Sequence, residues 1–263
     1  MLRLRANVQL LRPKISNLFA TISYYDSQSG IQVTRGSDFS LHCTSTGVRT
    51  NTRTNEKTTF IPVTSLKDLP STDEQVGGVS LEITMTTFLE QRATLVELIK
   101  ASKARNLLVR TTLLETFSCS PVDVQLAAGV IADANADVIC LCDRDGYLQN
   151  GDTEEAADVM QEILEAVTWL DVEGTPIVDR LALRLGGKEK SKKSKKSKKS
   201  KKSKKSSSME QQLELLRMVV MGGDDDMGIV LPVIREFDID DHDMYNGFTS
   251  ENVLLVLTQA GRI

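Results

Sequence analysis

From residue 79 onward, short apolar runs alternate with stretches whose apolar positions recur at helical spacing. VSLEITM (79–85) reads as a strand, and TTFLEQRATLVELIKASKA after it as a helix. A capping box of Thr87 and Glu90 opens that helix, and Leu89, Ala93, Val96 and Ile99 form its expected buried face. LLVRTTLL (107–114) is the next strand. Ser120 as a cap and Pro121 at the first helical position announce a second helix, with Leu126, Ala127, Val130 and Ile131 inward. ADVICLC (136–142) precedes a helix over 152–167, whose Val159, Ile163 and Val167 face the core. IVDRLALRL (177–185) predicts another strand, but the helix after it begins only at Ser208, with Gln211 as its capping-box partner. RMVVMGG (217–223) reads as a short strand, and 249–261 as a last helix closed by Gly261. With TTFIPVTS (58–65) as an earlier strand, the alternation predicts a parallel sheet with crossover helices. The number of units suits a closed barrel better than a small open sheet, although periodicity alone admits both.

Composition leaves that picture intact, since 40% hydrophobic and 26% charged residues over 263 positions is ordinary for a globular chain. Charge changes it. The run over 188–205 holds 12 Lys and one Glu, or +11, so a net charge of −4 leaves −15 for the rest. Such a body repels nucleic acid, and any polyanion contact falls to the lysine run alone. The run cannot bury anything and repels itself, so a disordered Lys/Ser-rich insertion over 188–207 is expected between a strand and its helix. A solvated loop and an anchor for RNA or an anionic membrane are its two readings. The first 25 residues carry Arg3, Arg5, Arg12 and Lys14 and no acid, with Leu2, Leu4, Val8, Leu10 and Leu11 on one helical stripe. That is the composition of a mitochondrial presequence, the alternative being a basic amphipathic first helix. Cys43, Cys119, Cys140 and Cys142 lack metal-finger spacing and read as reduced thiols.

TTFIPVTSLKDLPSTDEQVGGVSLEITM, LLVRTTLLETFSCSP, ADVICLCDRDG, VDRLALRL, MGGDDDMGIVLP and GFTSENVLLVLTQAGRI together resemble the 3-hydroxy-3-methylglutaryl-CoA lyase family. That family belongs to the metal-dependent lyase and aldolase barrels. The resemblance implies a degenerate or incomplete (β/α)8 TIM barrel over 58–263, after a presequence (1–25) and a divergent segment (26–57). IQVTRGSDF and FSLHCTST within the latter look like vestiges of the first two units. In this alignment LLVRTTLL is the fifth strand, with Arg110 and Cys119 at the family's Val-Arg and Cys-Pro places. ADVICLC is the sixth strand, ending in Asp143, VDRLALRL the seventh, and MGGDDDMGIVLP the eighth with its loop. CDRDGYLQNG also mimics the family's first-strand Arg-Asp-Gly, which would make Arg144 a catalytic arginine and Asp145 a metal ligand. Only 113 residues follow Asn150, however, and an eight-stranded barrel needs roughly 250 in all, so the sixth-strand placement is preferred.

The family holds magnesium or manganese on a first-strand aspartate, a His-x-His at the end of the seventh strand, and an asparagine before the last helix. Here the His-x-His places carry Arg184 and Gly186, and the loop cysteine before Pro232 is Leu231. Asn246 stands near the asparagine place. Remnants of a catalytic set are thus Arg110, Asp143 and Arg144, and of a metal set Asp143, Asp145, Asp224, Asp226 and Asn246. Asp238, Asp240, Asp241, His242 and Asp243 read as an acidic loop without calcium-loop spacing. The expectation is a mitochondrial lyase-like protein that has lost catalysis, needs no cofactor, and works as a binding or accessory component with protein partners in an organellar assembly. The alternative is a divergent metal-dependent acyl-CoA carbon–carbon lyase, of the leucine-degradation or ketone-body type, with Mg or Mn on rebuilt carboxylates.

Overall fold

The computed structural model describes residues 24–26, 30–32, 39–71, 76–149, 152–168, 170–172, 175–186, 208–222, 231, 234–239 and 249–260. Eight strands close a barrel: β1 (Ser40–Cys43), β2 (Val48–Asn51), β3 (Lys57–Pro62), β4 (Gly78–Thr84), β5 (Leu108–Leu114), β6 (Val138–Asp143), β7 (Leu181–Leu185) and β8 (Glu236–Ile239). Neighbours follow chain order around the ring, and β8 pairs with β1 to close it. Every pair is parallel except β1–β2 and β2–β3, so β2 alone runs backwards. The cause lies in the connections. Residues 44–47 and 52–56 are tight turns, too short for the dozen or more residues a parallel crossover requires. The barrel therefore takes its first two strands from within the segment read as divergent, without helices of their own.

Among the described residues, five α-helices cover the later strands: α1 (Phe88–Ala104), α2 (Pro121–Asp133), α3 (Thr153–Thr168), α4 (Ser208–Met221) and α5 (Ser250–Gln259). Between β3 and β4 the described residues hold the 3₁₀ turn Leu66–Asp68, whose Asp68 carboxylate accepts from Ser65 N at 2.8 Å and from Thr64 Oγ1 at 2.9 Å. The apolar core lies between sheet and helices, where Val79, Leu81, Val109, Leu113, Ile139 and Leu141 of the strands meet Ile99, Ile131, Met160 and Leu164. This is the degenerate (β/α)8 barrel that the alternation and the resemblance predict. The lysine–serine run lies outside the described residues.

Several local expectations are corrected. In α1 the buried residues are Phe88, Leu95, Leu98, Ile99 and Ser102, while Leu89 is 73% exposed and Ala93 lies on the surface. Each residue turns a helix by 100°, so starting the stripe one position late swings it off the core. Thr87 caps nothing, because its hydroxyl donates to Thr84 O at 3.2 Å within the 3₁₀ turn before the helix. In α2 the small Ala127 and Ala128 pack inward beside Ile131, and Leu126 is left 47% exposed. Ser120 does cap this helix, accepting from Asp123 N at 3.2 Å. Residues 177–180 form a 3₁₀ turn before β7. Gln211 Nε2 donates to Leu148 O and Asp152 O at 3.0 and 3.1 Å, tying α4 to the turn after β6; the Ser208 side chain of the expected capping box lies outside the described residues.

The largest correction is the eighth strand. Residues 217–221 of that run are the end of α4, closed by Gly222 (φ +96°), whose N donates to Met218 O at 2.8 Å. A short apolar run reads alike as a strand or a buried helix end. The eighth strand is Glu236–Ile239, and Asp238 belongs to it rather than to an acidic loop.

Candidate functional site

Paired residues in the parallel ladder share a face, so the register sorts lumen from core. Ser80 and Glu82 (β4), Arg110 and Thr112 (β5), Cys140 and Cys142 (β6), and Ala182 and Arg184 (β7) lie in register with one another. Glu236 and Asp238 (β8) and Ser40 and His42 (β1) continue the same face. Contacts confirm that this face points inward: Arg110 reaches Glu236 and Asp238 three strands away, which only a path across the lumen allows. Barrel interiors are ordinarily filled with branched apolar side chains. This one is polar.

Arg110 is wholly buried, with Nη1 on Glu236 Oε1 and Nη2 on Asp238 Oδ1. Arg49 Nε donates to the other Glu236 oxygen at 2.9 Å. His42 Nδ1 lies 3.3 Å from Asp238 Oδ1, and its ring stands edge-on to Phe60 with centroids 5.7 Å apart. Cys140 Sγ donates to Asp238 Oδ2 at 3.4 Å. Burial pushes the Asp238 carboxyl up, but Arg110, then His42 and Arg184, outweigh it and hold the group below the ordinary aspartate value. Burial, with Asp238 beside it, pushes the Cys140 thiol well up, so it stays protonated and donates. Nearer the C-terminal end of the strands, Arg184 Nη1 meets Glu82 Oε1 at 3.3 Å across the lumen.

The residues singled out from sequence fall in different places. Arg110 is deep in the lumen. Asp143 ends β6 on the opposite face: it registers with Leu185, which packs in the outer core. Its carboxylate accepts from Tyr147 N at 2.8 Å and Leu148 N at 3.2 Å, capping the turn formed by CDRDGYLQ, where Gly146 supplies φ +66°. Burial pushes its carboxyl up to about 6 against those donors, and Asp145 adds to the rise. Arg144 is exposed and Asp145 half-buried on the same turn. Asp224, Asp226 and Asn246 lie outside the described residues. His42, Arg49, Glu82, Glu236 and Asp238 were not recognised as a cluster. Their signal is a polar residue at every second position of apolar runs, as in SLHC, LEIT, LALRL and EFDI, in strands buried on both faces.

With fold and lumen in view, solved structures supply the comparison. The HMG-CoA lyase from Brucella melitensis matches with a TM-score of 0.54 at 13% identity, over 78% of this chain and 67% of that one. The fold resembles that of HMG-CoA lyase. At this identity the likeness is one of fold. The N-terminal domain of a protein described as an aldolase, from Bacteroides vulgatus, matches with a TM-score of 0.43 at 15% identity, over 79% of this chain and 57% of that one. No family model and no curated protein matches the chain by sequence.

A divalent cation, which the lyase resemblance implies, finds no fit in the donors described. Each lumen carboxylate is engaged by a guanidinium: Glu236 and Asp238 by Arg110, Glu82 by Arg184. Asp143 faces away, and no group of three or more His, Cys, Asp or Glu suited to a metal occurs among the described residues. Arginine supplies the positive charge that a cation would bring.

Proposed function

We propose that this chain is a lyase-like barrel protein that has lost catalysis and serves as a binding or accessory structural component in a mitochondrial assembly. The observation that carries the reading is the Arg110–Glu236–Asp238 network at the centre of the lumen. Metal-assisted carbon–carbon cleavage needs a cation with open positions beside the substrate. Here the described lumen acids Glu82, Glu236 and Asp238 are each paired with an arginine, and Arg184 stands on β7 where the resemblance calls for an imidazole. The basic, acid-free first 25 residues support an organellar destination, and the lysine run supplies the one polycationic contact on an acidic body.

The test pairs an assay with a fractionation. Purified chain lacking residues 1–25, given manganese and 3-hydroxy-3-methylglutaryl-CoA, is expected to release no acetoacetate. The endogenous protein is expected in mitochondria, migrating on native gels well above its own 29.0 kDa. Metal-dependent turnover abolished by Asp143→Ala would overturn the reading in favour of a divergent acyl-CoA lyase. Migration as a free monomer or dimer would remove the accessory role.

A further inference from the structure

The negative charge of the body is not spread evenly. Between Arg144 and Arg180 the sequence has no lysine, arginine or histidine. Within that stretch α3 exposes Glu154, Glu155, Asp158, Glu162 and Glu165 on its outer face. None of the five forms an ion pair among the described residues, and Glu165 accepts from Gln161 Nε2 at 2.7 Å on its own helix. Asp158 stands four residues from both Glu154 and Glu162, so like charges face one another along the helix, which weakens it. The helix dipole favours acids in the first turn but opposes Glu162 and Glu165, which lie in the last two turns, where the final turn has no basic residue. Helix stability therefore does not account for this face, whereas a cationic occupant does.

The chain's own polycation starts and ends at the head of the same helix. β7 ends at Leu185, which pairs in register with Asp143 at the end of β6, the strand that leads into α3. On the other side α4 begins at Ser208, and one turn in, Gln211 Nε2 donates at 3.1 Å to the carbonyl oxygen of Asp152, next to the first residue of α3. The 22 residues between these anchors carry 12 lysines. We propose that the lysine–serine run over 188–205 docks on the acidic outer face of α3 in the same molecule.

Reach and charge both fit. An extended chain covers about 3.3 Å per residue, and the 16 residues of α3 make a helix about 24 Å long. About seven residues thus reach the far end of α3 and as many return, within the 22 that are there. Each exposed ion pair is weak alone, but two anchors beside the helix hold the run at a high effective concentration. Pairing of this kind needs no cavity and no fixed geometry. It also sets the order of events for a polyanion: RNA or an anionic membrane gains the run by displacing the carboxylates of α3. The docking is independent of whether the lumen retains catalysis.

Trypsin cuts after lysine, so the rate at which the full chain is cut within 188–205, read by mass spectrometry, reports how much of the run is undocked. A variant combining Glu154→Gln, Glu155→Gln, Asp158→Asn and Glu162→Gln is expected to be cut about fivefold faster than wild type at about 0.05 M salt, the factor that one good exposed ion pair supplies. At about 1 M salt, where screening shortens the reach of charge to about 3 Å, the two rates are expected to converge. A control combining Glu90→Gln, Glu97→Gln, Asp133→Asn and Glu251→Gln, with the same change in net charge on other helices, is expected to be cut like wild type. Circular dichroism checks folding, and Asp158→Asn with Glu162→Gln serves if the fourfold variant does not fold. Equal rates for wild type and the α3 variant at low salt overturn the proposal, as does a control that is cut as fast as the α3 variant. A wild-type rate that falls as protein concentration rises overturns it as well, because the run then docks on a second copy. Acetoacetate release plays no part in this readout, so its failure leaves the non-catalytic reading standing, and turnover with manganese leaves the docking standing.

Discussion

Arg110 shows at the level of one residue how the lumen is held. Replacing it by methionine keeps volume but takes the main counter-charge from buried Asp238 and leaves Glu236 with Arg49 alone, and removing one partner of such a buried pair costs about 3–5 kcal/mol. Arg110→Met is expected to lower the unfolding free energy from urea titration by that amount, and adding Glu236→Gln with Asp238→Asn is expected to restore most of it. If the single variant is as stable as wild type, the network is not a determinant of the fold. Asp143 carries the opposite pH signature. Its carboxyl is pushed from 3.8 up to about 6, so the folded chain holds that proton more tightly than the unfolded one. Its contribution is full below the unfolded value and is lost as pH rises through about 6. A shift of this size corresponds to at most about 3 kcal/mol. Asp143→Asn keeps an acceptor for Tyr147 N without the charge. Stability measured between roughly pH 4 and 7 is expected to fall more steeply in wild type than in this variant, and parallel profiles would contradict it. Asp238, held below its ordinary value, acts oppositely: its contribution is present above the unfolded carboxyl value and is lost only in more acidic solution.

At the scale of elements, the reversed β2 depends on its turns. Gly47 sits at φ +67°, and a Cβ there would lie 2.2 Å from the carbonyl oxygen of Phe60, which is backbone and cannot step aside. Gly47→Ala is expected to cost about 1–3 kcal/mol and to loosen β1–β2 pairing, read as faster amide exchange at Cys43 and Phe60. Strands β3 to β7 and all five described helices were legible in the sequence because each is a strong period bounded by a cap, a proline or a polar break, although the end of α4 reads as a strand. What escaped has physical reasons. Helix faces rotated where the α1 stripe was placed one position late and where α2 turned alanines inward, since hydrophobicity alone does not reveal which apolar side a helix buries. The eighth strand escaped because EFDI places Glu236 and Asp238 in the lumen, and Asp238 read together with the aspartates after it looked like a solvated loop. The candidate site was legible only in Arg110 and in the arginine at 184. Partners gathered from five other strands or strand ends are visible only once the ring is closed.

For the whole molecule, the lysine–serine run poses the sharpest question, because it lies in the middle of a crossover. β7 ends at Leu185 and α4 begins at Ser208, and both are integral to the closed barrel and its core. Deleting 188–207 leaves Gly186 and Gly187 as the link, within the two to six residues that ordinarily join a strand to its helix. Two glycines adapt to whatever dihedrals that turn requires. The deletion is therefore expected to fold, with a melting temperature within about 2 °C of wild type. It also removes +11 from a chain of −4, leaving −15. If the run is an electrostatic contact to RNA or an anionic membrane, the deletion abolishes salt-sensitive retention on heparin and co-migration with the native assembly while the barrel stays intact. If co-migration persists, the partner is recognised by the barrel surface. A large loss of thermal stability would mean that the crossover itself contributes to the fold.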